Sequence, residues 1–142
     1  MNEDILRQDF SRQPKNRFEF SFHNQKVIFE IDQLASKSDK SVICRYGNTT
    51  VLTVLTLKQL TKNVNSFFPL SITFEEKFYA IGKIPNFFSK REGKPSYDAI
   101  TAARLIDRSL RSFFPLESNQ QVHINNSVLS MDQECDPRIV SI

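Results

Sequence analysis

Three arginines, Arg104, Arg108 and Arg111, recur at i, i+4 and i+7, a spacing that puts them along one face of a helix. Just ahead of them runs Gly82 to Pro95, a stretch with little periodicity that carries Lys83, Lys90, Arg91 and Lys94 against the single acid Glu92. A guanidinium presents a planar fork of donors that matches phosphate oxygens in a way an ammonium cannot. Phe87 and Phe88 sit among these cations, and their π faces suit stacking by unpaired bases. The same spacing equally fits a solvated basic helix face beside a loop with two core phenylalanines, and periodicity alone leaves both open.

Other chemistries find little support. There is no P-loop and no GxGxxG, and the chain holds only three glycines. No serine-nucleophile motif is present. Glu75 and Glu76 are neighbours in a predicted strand, so they point to opposite faces. Asp132, Glu134 and Asp136 alternate and could converge on a cation, but a solvated acidic turn is the favoured reading. His23 and His123 are isolated, in a turn and a strand respectively. Cys44 and Cys135 stand outside any CxxC pair and read as reduced thiols rather than a disulfide. No metal site and no catalytic residue is therefore expected.

The elements that would position the basic residues follow from pattern. Residues 1 to 17 are polar and mixed in charge, and read as a flexible leader. Phe18, Phe20 and Phe22 alternate with Glu19 and Ser21, which predicts a half-buried strand. After a turn at His23-Asn24-Gln25, Val27, Phe29 and Ile31 give a second strand and a hairpin. Ser41–Tyr46 and Thr49–Leu57 form a second hairpin around Gly47-Asn48. The second of these runs is uncharged and β-branched, and is expected to be central and buried on both faces. A strand follows at Leu70–Phe74, then the short apolar run Phe78–Ile81. Ser96 to Arg111 is the one strong helix, with Ser96 as N-cap and Asp98 in its first turn. Ala99, Ala102, Ala103, Ile106 and Leu110 form its apolar face. A last strand is expected over Gln121–Ser130, and the tail from Asp136 has no assignable pattern. Strands, one helix and a further strand suggest an α+β fold, a mostly antiparallel sheet with the helix on one face.

The 142 residues allow one domain, here 18–142. Charged residues make up 25% and apolar ones 39%, the balance of a soluble globular chain. Met1-Asn2-Glu3-Asp4 starts acidic, without the apolar core of a secretory signal. No stretch approaches the roughly 20 apolar residues of a membrane span, so the expected location is the cytoplasm. A net charge of +3 is mild, so where the charge sits matters more than its total.

Phe78-Tyr79-Ala80-Ile81-Gly82-Lys83-Ile84-Pro85 followed by Lys90-Arg91-Glu92-Gly93-Lys94-Pro95-Ser96 resembles the first core of the bacterial polynucleotide phosphorylases. So does Arg104-Leu105-Ile106-Asp107-Arg108. Arg45-Tyr46-Gly47-Asn48-Thr49, Phe67-Phe68-Pro69-Leu70 and Val128-Leu129-Ser130 fit as well, all in the family's order and spacing, from about Phe18 to the end. The resemblance implies an RNase PH-like fold of the ribosomal protein S5 domain 2-like type. Such enzymes carry two of these cores and assemble as a ring-shaped trimer around a channel. With inorganic phosphate they release nucleoside diphosphates from the 3′ end of RNA in mRNA degradation, and the phosphate and magnesium sites belong to the second core.

The resemblance gives the first core an RNA-guiding role, with single-stranded RNA and a homotrimer as partners. Phe88 would stack on a base at the channel constriction, and Lys90 and Arg91 would hold phosphates. Arg104, Arg108 and Arg111 match positions that face RNA or border the active site. There are departures. Ser89 stands where a bulky residue is usual, and Ser109 and Ser112 stand where prolines are usual, which implies a less rigid end to the helix. The family pattern continues past Ile142 into helices that complete the core, so an incomplete, poorly soluble and inactive domain is expected. A free-standing RNA-binding subunit of an exosome-like ring, a one-core RNase PH and a decayed gene product are the alternatives.

Overall fold

His23 and Asn24 both have left-handed backbones, φ +45° and +60°. This is the pairing that lets a two-residue turn follow the twist of its strands. Strand β1 (Arg17–Phe22) folds back through it onto β2 (Gln25–Ile31). In the computed structural model, which describes residues 16–60, 68–84, 95–114, 120–132 and 134–142, four more strands follow. They are β3 (Lys40–Tyr46), β4 (Thr49–Gln59), β5 (Leu70–Glu76) and β6 (Gln120–Ser130). A 3-10 turn spans Phe78–Ile81, α1 runs Tyr97–Arg111 and α2 is the single turn Pro137–Val140. The expected leader falls almost wholly outside the described residues, with only Asn16 and Arg17 inside them.

The strands make one sheet in the order β1-β2-β3-β4-β6-β5, antiparallel throughout except for the parallel pair β5 and β6. Phe18, Phe29, Cys44, Val51 and Val128 are successive partners across five strands, so they share one face. At the β4-β6-β5 end α1 covers that face, burying Val51, Phe74 and Val128 against Ala99, Ala102 and Ile106. At the other end the face is open, and Phe18, Phe20 and Phe22 are 58%, 49% and 53% exposed. The helix interface uses small residues, which lets α1 sit close to the strands. Phe68, Val122 and Ile124 form a second cluster beside it, with Phe114 stacked on Phe68 at 4.7 Å between ring centroids.

β4 departs from the expectation of burial on both faces. Thr49 and Val51 are buried, but Thr56–Gln59 are exposed. The reason is length: β3 pairs with β4 only as far as Leu55, and beyond it β6 alone accompanies the strand to Gln59.

The segment after β6, which leads into the tail from Asp136 that pattern leaves unassigned, is fastened to the β3–β4 turn. Thr49 Oγ1 donates to the Cys135 carbonyl at 2.8 Å, and Asn48 Nδ2 to Asp132 Oδ2 at 2.9 Å. Gly47 at the turn has φ +57°, and a Cβ there would stand 3.0 Å from Gln25 Oε1 and 3.3 Å from Cys135 Sγ. The left-handed backbone favours glycine, and a side chain there would also press on Gln25 and Cys135. Asp136 then caps α2, its Oδ1 accepting from the Arg138 N–H at 2.8 Å.

Candidate nucleic-acid interface

α1 begins as its sequence directs. Ser96 is extended and its Oγ accepts from the Ala99 N–H at 3.0 Å, satisfying one of the free donors of the first turn. Its core stripe, Ala99, Ala102 and Ile106, is buried, and this orients the polar stripe outward. The helix runs unbroken to Arg111 because Ser109, unlike a proline, keeps its N–H; its hydroxyl donates to the Ile106 carbonyl at 2.9 Å.

The three arginines do not behave alike. Arg104 and Arg108 are exposed and, among the described residues, have no carboxylate partner. Arg111 is committed. Its Nη2 lies 2.7 Å from Asp107 Oδ1, its Nε 3.2 Å from Asp107 Oδ2, and its Nη1 donates to the Phe68 carbonyl at 3.1 Å. Hydrogen bonding to Asp107 raises the guanidinium's already high pKa further. Among the described residues the helix thus offers two cations without a carboxylate partner, one turn apart, and one engaged at the junction with the chain entering β5.

An open cleft of about 970 Å³ lies between β5, the 3-10 turn and α1. Ile72, Phe74 and Phe78 contribute to its apolar floor, and Arg104, Asp107 and Arg111 to one wall. Arg108 is not part of the lining. Pro95, where the basic segment rejoins the described chain, lies at the cleft as well. Phe88, Lys90 and Arg91 lie outside the described residues.

Asp107 belongs to none of the chemical patterns in the sequence. Its spacing of four from Arg111 carried the signal for an ion pair, whereas the Phe68 carbonyl, 43 positions away, left none. The alternating acids do not converge. Asp132 accepts from Asn48, Asp136 caps α2 and pairs with Arg138, and no group of three His, Cys, Asp or Glu able to hold a metal occurs among the described residues. Both thiols are free and buried. Burial pushes the Cys44 thiol up to about 11, and burial followed by the charges of Asp132 and Glu134 pushes Cys135 upward too.

The sequence model of the RNase PH family, described as the 3′ exoribonuclease family, domain 1, matches residues 24–141. The chain belongs to this family. Curated proteins named polyribonucleotide nucleotidyltransferase are similar to it. That of Brevibacillus brevis is 42% identical over 125 residues, 88% of this chain and 17% of the relative. That of Streptococcus thermophilus is 44% identical over 119 residues, 84% of this chain and 16% of the relative. That of Bacillus anthracis is 42% identical over 130 residues, 92% and 18% respectively. This RNase PH family chain therefore spans less than a fifth of the length of these relatives. A solved archaeal exosome core is similar in fold, with a TM-score of 0.51 at 16% identity over 80% of this chain and 43% of that one. The mixed sheet with one helix on its face is the RNase PH-like α+β fold that the resemblance implied.

Proposed function

We propose that this domain of phosphorolytic exoribonuclease type binds and directs single-stranded RNA, as the first core of a phosphate-dependent 3′-to-5′ exoribonuclease. The observation that carries the reading is the pair Arg104 and Arg108, exposed, one turn apart and without a carboxylate partner among the described residues. Two such guanidiniums suit successive phosphates of a flexible strand, and each contact formed releases counterions. In this reading Lys90 and Arg91 hold further phosphates and Phe88 stacks on an unpaired base. The names of the curated relatives, polyribonucleotide nucleotidyltransferase, support the parent activity.

In this reading nucleoside diphosphate release belongs to the whole enzyme, assembled as a homotrimer in the cytoplasm during mRNA degradation, with inorganic phosphate as co-substrate. The magnesium and phosphate that such chemistry uses are, in this reading, held by the second core; among the described residues no three acidic, histidine or cysteine side chains converge. This chain's contribution is to hold RNA, and alone it is inactive.

The test is incubation of the purified chain with a short poly(A) RNA, phosphate and magnesium, following binding and ADP release together. Binding without release is expected. Steady release would place a competent active site within these residues and overturn the guiding role.

A further inference from the structure

We propose that Arg111 is a positioning residue that acts through Asp107, keeping that carboxylate from capturing Arg104 and so leaving Arg104 free for RNA phosphate. The inference rests on the RNA-binding reading above and deepens it. Asp107 lies three residues after Arg104 and four before Arg111, so on a helix it is a neighbour of both. All three line the same wall of the cleft. A carboxylate between two arginines can neutralise either one, and the choice decides which is available to a ligand.

The structure makes the choice in favour of Arg111. Both Asp107 oxygens accept from it, at 2.7 and 3.2 Å. The third bond, Nη1 to the Phe68 carbonyl at 3.1 Å, fixes the guanidinium from the other side. That carbonyl belongs to a buried residue, since Phe68 is 4% exposed and stacked on Phe114. Swinging Arg111 out to a phosphate would break three hydrogen bonds, two of them to a charged partner. Arg104 has no comparable tie. Arg108, one residue after Asp107, points about 100° around the helix from it and competes less.

Without Arg111, Asp107 has lost its partner and turns to Arg104, the cation left beside it on the wall. RNA then meets one captured arginine and one uncompensated carboxylate. A direct phosphate role for Arg111 predicts something different, because removing Asp107 as well could not return the lost contact.

The experiment is a double-mutant cycle on the full chain, reading affinity for labelled single-stranded poly(A) and its salt dependence. R111Q is expected to weaken binding about fivefold and to lower the slope of log K against log salt by about 0.7, one single-strand phosphate contact. In the R111Q background D107N is expected to restore the wild-type slope and most of the affinity. In the wild-type background the same D107N is expected to change affinity by less than about twofold, since the carboxylate is already neutralised. Should R111Q fail to fold, R111K, which keeps Asp107 neutralised, is expected to retain the wild-type slope. The inference is overturned by a double variant as weak as R111Q, by equal D107N gains in both backgrounds, or by a lowered slope in R111K. A wild-type chain that ignores poly(A) overturns the RNA-binding reading itself, and this inference with it.

Discussion

Arg111 and Asp107 are joined at two points across one turn of α1, and the guanidinium reaches on to the Phe68 carbonyl at 3.1 Å. One side chain thereby ties the end of the helix to the chain entering β5. An exposed i,i+4 pair contributes only a few tenths of a kcal/mol, but a charged hydrogen bond to a half-buried carbonyl adds to it. R111A is expected to lower stability by about 1 kcal/mol, whereas R104A stays within about 0.5 kcal/mol of wild type. Urea denaturation of the two variants checks this, and equal midpoints would count against the tie.

Asn126 is fully buried on the helix-covered face of β6, where its Oδ1 accepts from Thr53 Oγ1 at 2.7 Å and its Nδ2 donates to the Thr73 carbonyl at 3.3 Å. It links three strands, including the parallel pair β5 and β6. Replacing it by leucine strands a hydroxyl and a carbonyl without partners, and a loss of about 2 to 4 kcal/mol is expected. The midpoint shift in urea measures it, and a neutral N126L would show that the contacts do not matter.

The Arg138 side chain, hydrogen-bonded to Asp136, holds that carboxyl below the ordinary carboxylate range. A folded-state pKa below the unfolded value contributes stability that is fully present above the unfolded value and disappears as pH falls through the folded one. D136N should therefore be less thermostable than wild type at neutral pH. The gap should narrow as pH falls below about 4, the unfolded carboxyl's range. Melting curves at neutral and strongly acid pH decide the matter; a gap that grows on acidification would reverse the sign.

With its pKa raised to about 11 by burial, Cys44 presents almost no thiolate at neutral pH. Cys135 shifts the same way and is buried. Neither should react with iodoacetamide in the folded chain, and both should label in denaturant. Mass spectrometry of the labelled chain reads this directly, and rapid labelling of either cysteine in buffer would contradict the burial.

Phe18, Phe20 and Phe22 lie open on an edge strand, an arrangement that invites self-association. F20K is expected to reduce light scattering of concentrated samples without changing the melting temperature by more than a few degrees. Unchanged scattering would place the sticky surface elsewhere.

Much of this architecture is legible in the sequence. The His23-Asn24 and Gly47-Asn48 turns and the Ser96 cap are local signals, and local signals survive folding. The alternation of Phe18, Phe20 and Phe22 marks the strand β1 but not its burial, since β1 is exposed along its whole length where no element covers it. The strand order was not legible, because nothing in β5 says that it pairs in parallel with β6 rather than lying beside β4. α2 is one turn long, too short to show a period, and depends on Asp136 and on contacts with β4. In the candidate site, spacing put the arginines on one face. It could not divide them into two free cations and one tied one, since that division depends on Phe68 arriving from a distant part of the chain.

Arg104 and Arg108, exposed and without a carboxylate partner among the described residues, are the side chains proposed to meet RNA. The most direct test is the salt dependence of poly(A) binding from about 50 to about 200 mM salt, in the wild-type chain and in R104Q/R108Q. The double variant is expected to fold, to bind more weakly, and to have a slope shallower by about 1.4, two single-strand phosphate contacts. An unchanged slope in a folded double variant would mean that RNA is held elsewhere, and would contradict the proposal.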